Sequence, residues 1–423
     1  MYFYPVWERK RGTKMLYYEW KKIWVRRGTK VAMFVLACTF AIVCWFAVHN
    51  EYYMNENGEH EYGILAIRKL KEAKKEWTGE LTEEVIAKVI AENRRINGTE
   101  EGRSDDIRLS NIAYGWKQGF HDIRNLLMCS YCKFREADYY KPDSLMPEDA
   151  ASFYGNRLLH LQEWLAKEEQ QYIFSEKERE FLIERYAALQ TPFTYDYADG
   201  WKQIFELSST IIMIMMLILS FVAAGIFAGE FTDKADAVFY SSYHGRGKAS
   251  IAKLGAGILF ITCVYVVVMA LYTGVLLLLL GADGADLVIQ TNLTGWKSFY
   301  FLTNIQEYWL IVLGGYIGTL FMLVLTMLVS AAAKSKMLAV VVPFVLIFLR
   351  SFLTAAPGSF AGKLLGIWPD TLLDIYYGVV RFDLYEIGGK VVGALPIVFV
   401  LYTVLTAIVC PFIYQVFRKK EAG

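Results

Sequence analysis

Leu207-Ser-Ser-Thr-Ile-Ile-Met-Ile-Met-Met-Leu-Ile-Leu-Ser-Phe-Val-Ala-Ala-Gly-Ile-Phe-Ala-Gly229 runs for 23 residues without a charge. A helix rises about 1.5 Å per residue and the hydrocarbon core of a bilayer is about 30 Å thick, so roughly 20 such residues cross it. The same pattern recurs at Val31–Val48, Leu254–Ala282, Tyr308–Ala333 and Val391–Phe417, and at Met337–Ala356, where Arg350 interrupts it. Buried helices of soluble domains usually run about 8–20 residues. The fold class expected is therefore an all-α membrane protein with six transmembrane helices.

The whole-chain averages hide this pattern. The chain has 423 residues, 44 Lys+Arg against 43 Asp+Glu, and is 55% hydrophobic. That apolar content excludes a disordered chain. The even charge balance argues against a nucleic-acid partner, and six cysteines are too few for a disulfide scaffold. Residues 50–206 alone carry 21 Lys+Arg and 30 Asp+Glu, a net charge of −9. The chain divides into a basic segment 1–30, a first span 31–49, a charged block 50–206, a membrane region 207–417 and a tail 418–423.

Basic residues set the orientation. The first 30 residues hold nine Lys/Arg, the excess that marks a cytoplasmic flank. With that end inside, segments 1–30, 230–253, 334–336 and 418–423 are inner and hold 18 basic residues; the short outer segments 283–307 and 350–390 hold 5. Both termini are then cytoplasmic, the location is the plasma membrane, and block 50–206 is an extracellular insertion between helices one and two. The first run has too long a basic flank, and no nearby small-residue site, to be a cleaved signal.

Within 1–30, Leu16, Trp20, Ile23 and Trp24 recur at helical spacing, while Glu19, Lys22 and Arg26 fall on another face. This reads as an interfacial helix on the inner leaflet. The outer block reads as helical and large enough to bury its own core. Its stripes are Ile64, Leu65, Ile67, Leu70 and Trp77; Val85, Ile86, Val89 and Ile90, begun by an N-cap at Thr82; Leu158, Leu159, Leu161, Trp164 and Leu165; and Leu182, Ile183, Tyr186 and Leu189. Strand alternation is absent. Cys129 and Cys132 are structural cysteines, bridged or free. Segment 357–390 is too apolar for a free loop and reads as a re-entrant or interfacial hairpin. Arg350, at the outer end of helix five, either pairs with Asp370 or Asp374 or snorkels to the headgroups. Gly314-Gly-Tyr-Ile-Gly318 permits close helix contact.

No phosphate-binding loop, zinc-binding His-Glu-x-x-His helix or Gly-x-Ser-x-Gly elbow occurs. The spans are almost uncharged, unlike a proton relay. No enzyme activity and no cofactor are expected from this chain.

The segment Gly229-Glu-Phe-Thr-Asp-Lys-Ala-Asp-Ala-Val-Phe-Tyr-Ser-Ser-Tyr-His-Gly-Arg-Gly-Lys-Ala-Ser-Ile-Ala-Lys253 resembles the first cytoplasmic loop of ABC-2 type transporter permeases. Glu230, Phe239, Ser241, Ser242, Arg246 and Lys253 stand at the family's positions. Lys234 replaces the usual Gly and Tyr243 the usual Pro. The order of interfacial helix, span, large outer domain, span, loop and four more spans is also similar to that family. The resemblance implies a permease subunit whose loop 230–253 couples to a separate ABC ATPase subunit, with a second permease copy completing the pathway. It also implies export of an amphipathic or hydrophobic substrate such as a peptide or antibiotic. The alternative is a membrane receptor or immunity protein whose outer domain binds a ligand.

Overall fold

The structure, a computed structural model, is described over residues 6–232 and 247–419, and for side chains from residue 14 onward. Seven helices build a bundle: α1 Val6–Val25, α2 Arg27–Asn50, then, after the inserted block, α9 Asp199–Thr232, α10 Lys248–Leu280, α11 Asn304–Ala333, α12 Lys336–Phe352 and α13 Ala394–Arg418. Of these, α2, α9, α10, α11 and α13 are long and apolar enough to cross a membrane. The fifth expected span is shorter than the sequence implied. Its helix α12 has 17 residues, about 26 Å at the usual rise, and stops at Phe352 because Leu353–Ala356 turn extended ahead of Pro357.

The centre of the bundle is α9, packed against α11. Small residues bring the two backbones close enough for polar stitching. Ser330 Oγ donates to Ala224 O at 2.6 Å and accepts from Ala228 N at 2.9 Å. The glycines of α11 serve the same end. A Cβ at Gly314 would lie 2.1 Å from Ile375 Cδ1, and one at Gly315 would lie 2.6 Å from both Ile212 Cδ1 and Tyr265 Oη.

Between α2 and α9 lies the charged block, built from α3 Ile64–Lys75, α4 Glu83–Asn97, α5 Ile107–Lys117, α6 His121–Tyr131, α7 Phe153–Leu165 and α8 Glu176–Ala187, with shorter turns between. Thr82 caps α4 as expected, its Oγ1 accepting from Val85 N. Stripe one is corrected: Ile64 and Leu65 are exposed, and the buried face of α3 is Ala66, Ile67, Leu70 and Lys74. Leu159 is likewise exposed. Strands do occur, as two short antiparallel pairs, β1 Tyr52–Met54 with β2 His60–Tyr62 and β3 Gly79–Glu80 with β4 Thr194–Tyr195. Cys129 and Cys132 are free thiols; Cys132 Sγ accepts from Asp138 N at 3.3 Å.

The block does not close its core alone. One apolar cluster of α4, α6 and α7 takes in Trp296, and a second around Trp164, Leu182 and Tyr186 takes in Phe299, Phe382 and Leu384. Arg157, buried in α7, fixes this union by donating to Trp296 O at 3.0 Å and Ser298 O at 2.8 Å. The segments after α10 and before α13 therefore sit at the same end of the bundle as the block.

Segment 357–390 is not one re-entrant hairpin. It forms a short helix Phe360–Gly366, a turn at Pro369–Leu372 and a one-turn helix Ile375–Gly378. A true β-hairpin follows, β5 Leu384–Ile387 with β6 Lys390–Gly393. Gly388 and Gly389 have φ of +59° and +79°, the left-handed conformations a two-residue turn requires. Leu372, Leu373, Ile375 and Tyr376 bury against the bundle.

Candidate functional site

At the end of the bundle away from the block, α1 folds back along α10. Leu16 packs against the apolar core, Trp20 and Trp24 lie edge-on to Phe260 with ring centroids at 6.0 and 5.0 Å, and Ile23 is buried. The structure thus brings all four expected residues onto one face. That face meets α10 rather than lying free on a membrane surface. Helix α1 ends at Val25, and the extended backbone of Arg26 (ψ 132°) starts α2 at a new angle.

A neighbouring face of α1 carries charge into the bundle, with Glu19 reaching Lys253 of the same helix α10. Glu230, near the end of α9, is 2% exposed, and Lys253, in the second turn of α10, is 1% exposed. Lys253 Nζ lies 2.7 Å from Glu230 Oε1 and 2.8 Å from Glu19 Oε2. Lys22 Nζ reaches the same Glu230 oxygen at 2.5 Å. Arg26 Nη1 donates to Gly225 O at 2.5 Å, with Nη2 3.9 Å from Glu230. Its guanidinium fits a slot that only glycine leaves open: a Cβ at Gly229 would come 2.8 Å from Arg26 Nη2. Two carboxylates and three cations thus join α1, α9 and α10 at one point.

Both ends of the expected coupling loop, Glu230 and Lys253, are held in this knot. Phe239, Ser241, Ser242 and Arg246 lie outside the described residues. Sequence reasoning placed Glu19, Lys22 and Arg26 on one helical face without naming what they meet. The i, i+4 spacing of Gly225 and Gly229 was the signal for a receiving groove.

At the block end, Arg350 finds Asp370, Nη1 to Oδ1 at 2.9 Å, and donates to Thr371 Oγ1 at 3.2 Å. Asp374 is not its partner; its Oδ1 accepts from Ser209 Oγ at 2.7 Å. Burial pushes the Asp370 carboxyl above the usual range, although Arg350 pulls the other way.

A second charged knot, not anticipated, joins the block to α9. Lys74 Nζ lies 2.7 Å from both Asp199 Oδ1 and Asp122 Oδ2. Tyr195 Oη donates to Asp122 at 3.0 Å. Burial opposes the charge on Lys74, yet Asp122 and Asp199 raise its pKa well above the usual value. Burial likewise opposes charge on Asp122, but Lys74 and Lys202 hold its carboxyl well below the usual range. Glu51, which accepts from Gln203 Nε2 at 2.8 Å, is pushed up to about 7, first by burial and then by Asp199. Among the described residues, no cluster of three His, Cys, Asp or Glu is placed to hold a metal ion.

Comparison of the chain with protein-family models, with curated proteins and with solved structures found no match.

Proposed function

We propose that this chain is the membrane-spanning subunit of an ATP-driven transporter of the ABC-2 permease type, worked by a separate ATPase subunit. The observation that carries the reading is the Glu19–Lys22–Arg26–Glu230–Lys253 knot. Segment 230–253 is the stretch of chain that links α9 to α10, and both of its ends are tied to α1. A force on that segment or on α1 therefore moves α2, α9 and α10 as one body. Breaking one partner of a buried ion pair costs roughly 3–5 kcal/mol, so the three helices shift together rather than slide. That is what a coupling element needs: nucleotide-driven closure of a partner becomes a tilt of spans.

In this reading α12 is the fifth of six spans, since it returns the chain to the block, where Gly358 lies against Ile173. The termini and loop 230–253 are cytoplasmic, the block is extracellular, and two copies enclose the route for an amphipathic substrate. The chain supplies no chemistry of its own; the ATPase supplies hydrolysis.

The test is purification of the full chain from native membranes in mild detergent, with identification of co-purifying subunits and measurement of nucleotide hydrolysis. An ABC ATPase is expected. Its hydrolysis or its retention should fall with Glu230→Gln and with Arg246→Ala. A preparation without any ATPase, or a cysteine at position 246 labelled from the same side as the block, would overturn the reading.

A further inference from the structure

A cavity of about 1060 Å³ opens between the block and the segment linking α12 to α13. One wall is the turn Glu168–Ile173 with Trp164 and Arg135. The other is residues 353–366 and the start of the β5–β6 hairpin. Its charges are unevenly matched. Lys363 is paired with buried Glu178 at 2.8 Å, and Arg350 with Asp370. Arg135 has no carboxylate within 4.0 Å among the described residues; Arg381 also makes no ion pair that close, but it lies near enough to Asp370 and Asp383 to favour their charged forms. Arg135 instead lies over aromatic faces, 4.8 Å from the Trp164 ring and 5.4 Å from that of Phe382.

The same preference runs behind the wall. Arg157 sits 3.8 Å over Tyr186, and Arg185 4.6 Å over Phe301. Lys297, in a side pocket that shares Arg135 with the main cavity, stands 5.8 Å over Phe134. So Arg135, from a block of net charge −9, stands without a close carboxylate on an aromatic-lined cleft that Arg381 also lines. A cation held by a ring keeps most of its capacity to bind an anion, because the ring offers no competing acceptor. A planar guanidinium can donate two parallel N–H bonds to two oxygens of one phosphate.

Leu353, which lines the cleft, is 43% exposed, and its chain neighbours Phe352, Phe360 and Leu364, at the end of α12 and in the segment after it, are 81%, 85% and 48% exposed. Where that helix ends, a bilayer's headgroup layer begins. A cationic recess opening beside exposed apolar residues at this depth suits a molecule with an anionic head and apolar tails.

We infer that this cleft is a binding site for an anionic phospholipid, whose phosphate is held by Arg135 and Arg381 and whose acyl chains lie over Phe352, Phe360 and Leu364. The site acts on the block: a lipid bound there bridges the turn Glu168–Ile173 to the linker before α13, and so ties the position of the block to the membrane. The inference concerns ligand capture alone and stands apart from the ATPase reading, since binding is measured without a partner subunit.

The experiment is titration of the full chain, in a nonionic detergent, with short-chain phosphatidylglycerol, with phosphatidylcholine of the same chains and with inorganic phosphate, read by tryptophan fluorescence and thermal midpoint. Phosphatidylglycerol is expected to bind and to raise the midpoint, with a weaker response in Trp164→Phe fluorescence. Arg135→Gln and Arg381→Gln should each weaken it about tenfold, the loss expected for one charge-assisted contact. Arg135→Lys, which keeps the charge and loses the guanidinium fork, should fall between wild type and Arg135→Gln, and unchanged circular dichroism certifies the fold of each variant. Equal binding of the two lipids, or wild-type affinity in both Gln variants, would overturn the proposal. Inorganic phosphate binding as tightly as the lipid would overturn the amphiphile and leave a simple anion site.

Discussion

Lys22 in α1 reaches Glu230 in α9 across 208 positions of sequence, with Nζ 2.5 Å from Oε1. The contact gives a basic N-terminal segment, which orientation alone would explain, a buried partner inside the bundle. Glu230 also receives Lys253, so one carboxylate joins three helices.

That sharing predicts an asymmetric response to mutation. Lys22 is 41% exposed at its side chain, so its loss is softened by solvent. Lys253 is almost fully buried, and Lys253→Ala leaves Glu230 facing fewer cations without water. We expect Lys253→Ala to destabilise by about 3 kcal/mol or more and Lys22→Ala by about 1 kcal/mol or less. The double variant Glu230→Gln/Lys253→Met should recover most of the larger loss, because the unpaired charge is gone. Thermal midpoints of the four proteins in one detergent check the order.

Gly314 and Ile375 provide a test of packing without charge. A methyl at Gly314 would overlap Ile375 Cδ1 at 2.1 Å. Overpacking of this kind costs roughly 1–3 kcal/mol. Gly314→Ala should lower stability by that amount, and Ile375→Val in the same chain should return part of it. Additive losses in the double variant, measured by thermal unfolding, would show that the two sites do not touch.

The pH response of the block–bundle junction follows from Glu51. Its folded carboxyl is raised to about 7, above the unfolded value near 4.3. Between those values the folded state holds a proton that the unfolded chain has released. Stability therefore falls as pH rises from about 4.3 to about 7. Glu51→Gln keeps the acceptor for Gln203 and removes the titration. Its unfolding midpoint should be flatter than wild type over that window and higher than wild type at pH 8. A wild-type curve in the variant would assign the slope elsewhere.

Much of the bundle is legible in the sequence because a bilayer imposes length and apolarity on each helix separately, as in Leu207–Gly229. The need of Arg350 for a partner is legible for the same reason, since a charge at that depth is costly. What is not legible is whatever depends on distant segments meeting. Trp296, Phe299 and Phe382 read as loop residues, yet they complete the core of a block more than a hundred positions upstream. Lys74 looks like one charge among many on α3, and only folding brings Asp122 and Asp199 to it. The β5–β6 hairpin is different, because Gly388-Gly389 between Leu384-Tyr-Glu-Ile387 and Lys390-Val-Val-Gly393 is a local turn signal. The apolar content around it drew the reading toward the membrane instead.

Lys74 gives the sharpest prediction for the junction. Its ammonium is the shared partner of Asp122 and Asp199, and its side chain is 5% exposed. Lys74→Met leaves two carboxylates close together and dry, so we expect a loss of about 3–5 kcal/mol. Adding Asp199→Asn to Lys74→Met should relieve part of that loss, whereas Asp199→Asn alone should destabilise. The depressed pKa of Asp122 fixes the sign of the acid response. Its contribution is complete above the unfolded carboxylate value near 3.9 and is lost as pH falls below it. Lys74→Met should abolish that acid-side loss, since the ammonium that holds Asp122 ionised is gone. Limited proteolysis of the 51–198 block in a Glu51→Gln background, which removes the opposing titration at this junction, at pH 2 and at pH 7 reads the effect: the Lys74 protein should become more sensitive at pH 2, and the Lys74→Met variant should be sensitive at both. A variant as resistant as wild type at pH 7 would show that the junction is held by its apolar contacts and that the buried charges are secondary.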